Sequence, residues 1–289
     1  MSHYYHKHNG RWQRWIPLKN DGTEYQRITK KMAAEAGAVI GITSQIGNHT
    51  DKGYLIPWIG RLGIQAGWEV AQEAVSNGGL DDPLLHDITE ADMTYAKEIL
   101  TRNQEAAANK GNEFHDAIED YINGKPLPED AAMRNACVQV KAWLTEHGVE
   151  FTDHGVQAEH CVGFNGGIIP REDPMDAGIC LHINNGATAD LITKRLLVDW
   201  KTVEKAKDGR YYTGKPEHCA QLAFCRHAAW NEKLCDPDAE CCNVYINRNT
   251  GEIVEVKEWT GEQLDAGLEF VGWACECDNA LARLEGMLK

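Results

Sequence analysis

The run Gly186-Ala-Thr-Ala-Asp190-Leu-Ile-Thr-Lys-Arg-Leu-Leu-Val-Asp199-Trp-Lys201-Thr202 constrains this chain more than any other stretch. It reads as two strands joined at Lys194-Arg195. Alternate side chains of a strand share a face, so Asp199 and Lys201 point the same way. A hairpin folded about Lys194-Arg195 pairs residues whose numbers sum to 389, which sets Asp190 directly across from Asp199. Facing carboxylates on adjacent strands repel. A chain that keeps both holds something cationic between them, and a hard divalent ion with a lysine beside it meets that need. The turn lacks the Asn-Gly or Asp-Gly signature of a tight hairpin, and a slip of one residue would send the two carboxylates to opposite faces. A rival acid-x-Lys tripeptide, Glu255-Val-Lys257, has no Gly-x-x-x-Asp strand just upstream and no glutamine helix just downstream.

The neighbours of this run carry further candidates. In Gly111-Asn-Glu-Phe114-His115-Asp-Ala-Ile118-Glu119-Asp-Tyr121-Ile122 the apolar residues recur at helical spacing and form a stripe. His115 and Glu119, four apart, share the edge of that stripe. His115 is then either a half-buried histidine bonded to a helix neighbour or a ligand. Glu150 to Val162 reads as strand, in which Glu159 is either a further acidic group of the site or an exposed strand residue. Pro216 to Trp230 reads as helix, from which Gln221 and Arg226 can reach a phosphate backbone.

The order is a helix with His115, strands with Glu159, Asp190 and Asp199/Lys201, a helix with Gln221, and a strand near Val244-Tyr-Ile246. It resembles the PD-(D/E)XK nuclease superfamily, in the RecB-type and phage-exonuclease branch that includes Cas4-like proteins and the mitochondrial genome-maintenance exonuclease. Gly111 to His115 matches the branch's Gly-x-x-x-His helix, and Gly186 to Asp190 approximates its Gly-x-x-Asp strand. Asp199-Trp-Lys201-Thr202 matches its Asp/Glu-x-Lys-Thr strand. Gln221 matches the first position of its Gln-x-x-x-Tyr element, but Cys225 stands where tyrosine is usual. The stretch between Glu159 and Asp190 is longer than the family has, and Asn165-Gly-Gly-Ile-Ile-Pro-Arg-Glu-Asp-Pro-Met-Asp-Ala-Gly178 reads as a loop insertion.

The resemblance implies an α/β fold with a restriction-endonuclease-like core, a central mixed sheet flanked by helices, and a helical N-terminal region. It implies Mg²⁺ or Mn²⁺ held by Asp190, Asp199, the backbone carbonyl of Trp200 and His115, with Glu159 as a further candidate. Lys201 would position or deprotonate the attacking water. Gln221, Tyr211, Tyr212 and Lys215 would hold the DNA strand, with Arg226 in support. The activity implied is a metal-dependent DNA exonuclease serving phage-type recombination or replication. A Cas4-like or structure-specific endonuclease is the second reading. A non-catalytic, nuclease-derived module that binds a partner protein is the third. DNA ends are the expected partner, alongside a recombination or annealing protein and a second copy of the chain.

Charge distribution bears on that expectation. The net charge is −15, awkward for a protein that grips DNA. Residues 1–31 nevertheless carry seven Lys/Arg against two acids, with Tyr4, Tyr5, Trp12, Trp15 and Tyr25 interleaved. Residues 193–215 carry seven basic residues against three acids. A local basic stripe can track phosphates, and aromatic residues among basic ones suit stacking on single-stranded bases. The same N-terminal arm also reads as a solubilising tail. The ten cysteines include no Cys-x-x-Cys pair, which argues against a zinc site. Cys137 comes too late, and Cys235, Cys241 and Cys242 are too poorly spaced, for the iron–sulfur cluster of some Cas4-like proteins. Buried reduced thiols are the expectation. No stretch has the length of a membrane span and no signal-peptide pattern opens the chain, so a cytosolic location is expected.

The expected organisation is an irregular arm over 1–31 followed by one nuclease domain over 32–289. That domain divides into a helical front (32–148), a catalytic core (149–258) and a C-terminal helix (259–289). A short helix is expected to start within Gly41–Ile46 with Thr43 or Ser44 as its cap. Others are expected over Tyr54–Val75, over Thr89–Ile122 as one long helix or two, capped by Thr89 and broken near Gly111, over Ala131–His147, over Pro216–Trp230 and over Thr260–Leu288. Strands are expected at Cys241–Arg248 and Glu252–Lys257.

Overall fold

The computed structural model describes residues 3–17, 25–27, 30–50, 55–76, 90–150, 156–169, 180–206 and 208–287. In chain order the elements begin with β1 (Tyr4–His8), β2 (Arg11–Gln13), β3 (Trp15–Pro17), β4 (Tyr25–Arg27), α1 (Lys30–Ala36), β5 (Val39–Gly41) and α2 (Ile42–His49). Three long helices follow, α3 (Leu55–Ser76), α4 (Glu90–Ile122) and α5 (Ala131–Glu146). The chain ends with β6 (Gln157–Ile168), β7 (Leu181–Ile192), β8 (Leu196–Val203), α6 (Pro216–Asn231), β9 (Glu240–Asn247), β10 (Ile253–Trp259) and α7 (Gly261–Met287). The chain divides into two compact units, Met1–Thr50 with Phe114–Lys289, and Asp51–Glu113. In the smaller unit Ala66, Val70 and Ile99 are buried together, with Ala96 and Leu100 against them.

The larger unit has the α/β architecture expected, a mixed sheet with helices on both faces. Its strand order is β10-β9-β8-β7-β5-β1-β2, with β6 pairing β7. One core lies between the sheet and α2, α6 and α7, centred on residues such as Ile42, Phe224, Val271 and Leu197. The other lies against α5 and the end of α4, and gathers Phe114, Ile118, Leu144, Leu191, Val198 and Trp200. α6 has buried residues on nearly every side, including Leu222, Phe224, Cys225 and Ala229. A helix without a wet face belongs inside a fold.

Local chemistry explains most boundaries. Asp130 caps α5 by accepting from the Met133 N–H at 2.9 Å. Gly148, at φ 71°, lets the chain turn out of it. Thr260 and Gln263 form a reciprocal capping box at the start of α7. The β7–β8 turn closes without Asn-Gly because Thr193 Oγ1 accepts from the Leu196 N–H at 2.9 Å while Thr193 N–H donates to the Leu196 carbonyl at 2.8 Å.

Four expectations are corrected. The N-terminal segment is not irregular: β1 pairs β5 and β2, joining the main sheet. α4 runs unbroken through Gly111, whose cost in a helix is only about 1 kcal/mol. The N-cap of α2 is Gly41, not Thr43 or Ser44, because the helix grows directly off β5, whose Gly41 N–H is tied to the His3 carbonyl at 2.7 Å. Asn165–Ile168 is strand, not loop, since it pairs with Leu181–Asn184. The Asn-Gly-Gly turn signal is overridden by that pairing; the rest of the insertion over 170–179 and the expected Thr89 cap lie outside the described residues.

Candidate metal centre

The β7–β8 register is Leu191↔Val198 and Ile192↔Leu197. Continued by one residue, it sets Asp190 opposite Asp199, as the sequence implies. On the other side of β7, Ala158 pairs Leu191 and His160 pairs Ala189, so Glu159 stands opposite Asp190. Both strands change phase at this rung. Ala187 and Ala189 face the α6/α7 core but Leu191 faces the α4/α5 core; Val162 faces the first, whereas Val156 and Ala158 pack on the second. Glu159 itself takes φ 48°, a left-handed conformation that costs a residue with a Cβ about 1–2 kcal/mol. Strain of this kind gathers at functional sites.

Burial of Phe114, Ile118 and Ile122 fixes the rotation of α4 and turns His115 toward this rung. His115 Nδ1 lies 3.2 Å from Asp190 Oδ2. The Trp200 backbone N–H donates to the same oxygen at 2.7 Å. One ligand atom each from His115, Glu159 and Asp190 come within 4.8 Å of one another, the one such group among the described residues.

The charges at this rung are strongly coupled. Burial would lower the His115 pKa, but the Asp190 carboxylate more than offsets it and the net shift is upward. Burial would raise Asp190, yet the His115 charge and the bonds from His115 and Trp200 hold it below its usual value. Glu159 is pushed up to about 7, first by burial and then by the Asp190 charge, with Arg14 partly opposing.

Asp199 is not in the His115/Glu159/Asp190 group. It is held by a separate set of donors. Lys201 Nζ reaches its Oδ1 at 2.8 Å and its Oδ2 at 2.6 Å. Gln221 Nε2 donates to Oδ1 at 2.9 Å, and Gln221 Oε1 accepts from Lys201 at 3.1 Å. From β9, Asn243 Nδ2 donates to Oδ2 at 2.6 Å and is itself fixed by Trp259 Nε1 at 2.8 Å. Burial raises the Asp199 pKa despite Lys201. Burial would lower Lys201, but the two aspartates outweigh it and keep it a cation, which makes it a positive charge rather than a base in this arrangement.

The remaining sequence candidates are dispersed. Tyr211 hydroxyl accepts from Asn247 Nδ2 at 2.9 Å, and exposed Tyr212 donates to Asp208 at 2.9 Å. Lys215 stands at the N-cap position of α6. Arg226 pairs with Asp265 on α7 at 3.7 Å. The structure adds residues that the sequence reading passed over: Arg14, whose Nη2 meets Glu159 Oε2 at 3.2 Å; Asn243 and Trp259; and a Tyr245–His218 pair beside Lys201. The Tyr245 hydroxyl accepts from the Gly214 N–H and pairs with His218 Nδ1, both at 2.8 Å. Burial, aided by Lys201 and Lys215, lowers His218 to about 3, so it is neutral. Asn243 had a legible signal, a lone amide inside the otherwise apolar Cys241–Ile246; Arg14 had none.

An imidazole and two carboxylates, with a cationic lysine close by, form a donor set suited to Mn²⁺ or Mg²⁺. Glu159 is half-buried beside a second carboxylate, Asp190, a pairing that a cation between them would relieve. The residues present therefore fit such an ion.

No family model matches the chain. No curated protein matches it. Among solved structures, one described as a putative exonuclease from Eubacterium rectale is 11% identical over 69% of this chain and 68% of that one, with a TM-score of 0.34. A second, designated SSO0001, is 12% identical over 70% of this chain and 83% of that one, with a TM-score of 0.28. Both likenesses are too loose to carry an argument.

Proposed function

We propose that the chain is a metal-dependent nuclease of the PD-(D/E)XK kind that hydrolyses DNA phosphodiesters, with exonuclease action as the favoured mode. The observation that carries this reading is the meeting of His115, Glu159 and Asp190 on one strained rung, beside the Asp199–Lys201–Gln221 set. His115, Glu159 and Asp190 would hold the ion. A bound divalent ion supplies charge neutralisation at phosphorus and a lowered pKa for the attacking water. Lys201, kept cationic, stabilises the negative charge that grows on the phosphoryl oxygens and orients the water by hydrogen bonding. Asp199 positions Lys201, and Gln221 and Asn243 fix Asp199. The neutral Tyr245–His218 pair supports the same strand as Lys201 without adding charge.

The finer reading, an exonuclease of phage-type recombination or replication using Mg²⁺ or Mn²⁺, is supported by the order of the sequence motifs. Digestion of end-labelled single- and double-stranded DNA with Mg²⁺, Mn²⁺ and EDTA tests it. Metal-dependent release of labelled ends is expected, with covalently closed circles resistant. Cleavage of closed circles would favour the endonuclease; absence of cleavage in either metal would refute the catalytic reading.

A further inference from the structure

The N-terminal hairpin is built onto the sheet beside the metal ligands. β1 pairs with β5 through Tyr4↔Ile40 and Tyr5↔Val39. The Tyr5 ring covers Gly186 and its hydroxyl lies 3.2 Å from Thr188 Oγ1. The Trp12 ring covers Gly163 on β6. A Cβ at either glycine would overlap the ring above it, so both positions are shaped to receive the hairpin. Two residues beyond Trp12, the Arg14 main chain hydrogen-bonds the Cys161 thiol. The Arg14 guanidinium then lies 3.2 Å from Glu159 Oε2, with 30% of its side chain exposed.

An ion pair this accessible adds less than about 1 kcal/mol to stability. Its placement has a chemical consequence instead. Glu159 sits against Asp190, and the Arg14 guanidinium is paired with its carboxylate. A divalent ion bonds carboxylate oxygen at roughly 2.0–2.2 Å and carries twice the charge, so it outcompetes a guanidinium for that oxygen. The displaced guanidinium remains next to the ion, and its planar fork matches two oxygens of a phosphate. We propose that Arg14 is a substrate-phosphate contact of this site, resting on Glu159 in the metal-free protein and transferred to a DNA phosphate when an ion takes Glu159. The inference rests on the nuclease reading for its substrate, but not for the competition at Glu159. It also gives the acidic chain a fixed positive charge at the reacting phosphate.

The test compares wild type, Arg14→Ala, Arg14→Lys and Gly163→Ala in the full chain. Calorimetry with Mn²⁺ alone reads the competition. Fluorescence anisotropy of an end-labelled oligonucleotide in Ca²⁺, across a salt series, reads phosphate contact. Arg14→Ala is expected to bind Mn²⁺ about 3- to 10-fold more tightly and DNA at least about 10-fold more weakly, with a salt slope smaller by about 0.7–0.9, the share of one phosphate. Arg14→Lys should restore the salt slope but not the full affinity. Gly163→Ala, which leaves Arg14 chemically intact but displaces Trp12, should weaken DNA binding as Arg14→Ala does. Weaker Mn²⁺ binding in Arg14→Ala would mark Arg14 as a prop for Glu159 and overturn the proposal. Unchanged DNA affinity and salt slope would overturn it too. If the wild type binds Mn²⁺ and DNA yet cleaves nothing, the nuclease reading fails while both Arg14 comparisons still decide this one.

Discussion

Glu159→Gln should stabilise the metal-free protein while destroying its ion site. The carboxyl titrates near 7 in the fold against an ordinary 4.5. A gap of that size converts, at about 1.4 kcal/mol per pH unit, into about 3 kcal/mol. The side chain is only 17% exposed, so solvent screening removes little of it. The sign follows from proton binding. The folded state holds the Glu159 proton more tightly than the unfolded chain does, so its contribution is complete below about pH 4.5 and is lost as pH rises through about 7. Glutamine does not titrate and escapes that loss. The pull of Arg14 on the carboxyl already opposes the upward shift, so it does not enlarge the difference. Urea unfolding in EDTA should therefore find the two proteins within about 1 kcal/mol at pH 5 and Glu159→Gln up to about 3 kcal/mol more stable at pH 8. Added Mn²⁺ should stabilise the wild type by mass action and leave the variant unmoved. A difference equal at both pH values, or a variant less stable at pH 8, would refute the reasoning.

Mn²⁺ affinity should rise between pH 6 and 8 with proton release, since Glu159 and His115 must both lose protons to bind; pH-independent calorimetric affinity would exclude them as ligands. Lys201→Ala should abolish metal-dependent cleavage while DNA binding in Ca²⁺ stays within a few-fold; equal cleavage rates would remove Lys201 from the chemistry. Asn243→Ala strips Asp199 and Trp259 of buried partners and should cost about 2–4 kcal/mol in urea unfolding. A loss under about 0.5 kcal/mol would show that Asp199 does not depend on it.

The elements around the site were readable because their signals are local. The apolar stripe of α4 carries His115, and an Asn-free turn still closes on Thr193 in the register that faces Asp190 with Asp199. The buried spans of β9 and α7 follow from their own patterning. Asn165–Ile168 misled because a Gly-Gly pair reads as a turn until a partner strand claims it.

The site itself divides differently. The sequence by itself named His115, Asp190, Asp199 and Lys201 and, for a hairpin turning at Lys194-Arg195, set Asp190 opposite Asp199, because a hairpin's register is a matter of counting along one stretch of chain; it left Glu159 open and carried no sign of Arg14. Tertiary structure alone decided that Asp190 joins His115 and Glu159 while Asp199 is claimed by Lys201, Gln221 and Asn243. The phase change on β6 and β7, and the docking of Arg14 from the far N-terminus, set those partners. Contacts between segments 20 to 145 residues apart depend on how the strands are stacked and bent, and no local pattern encodes that.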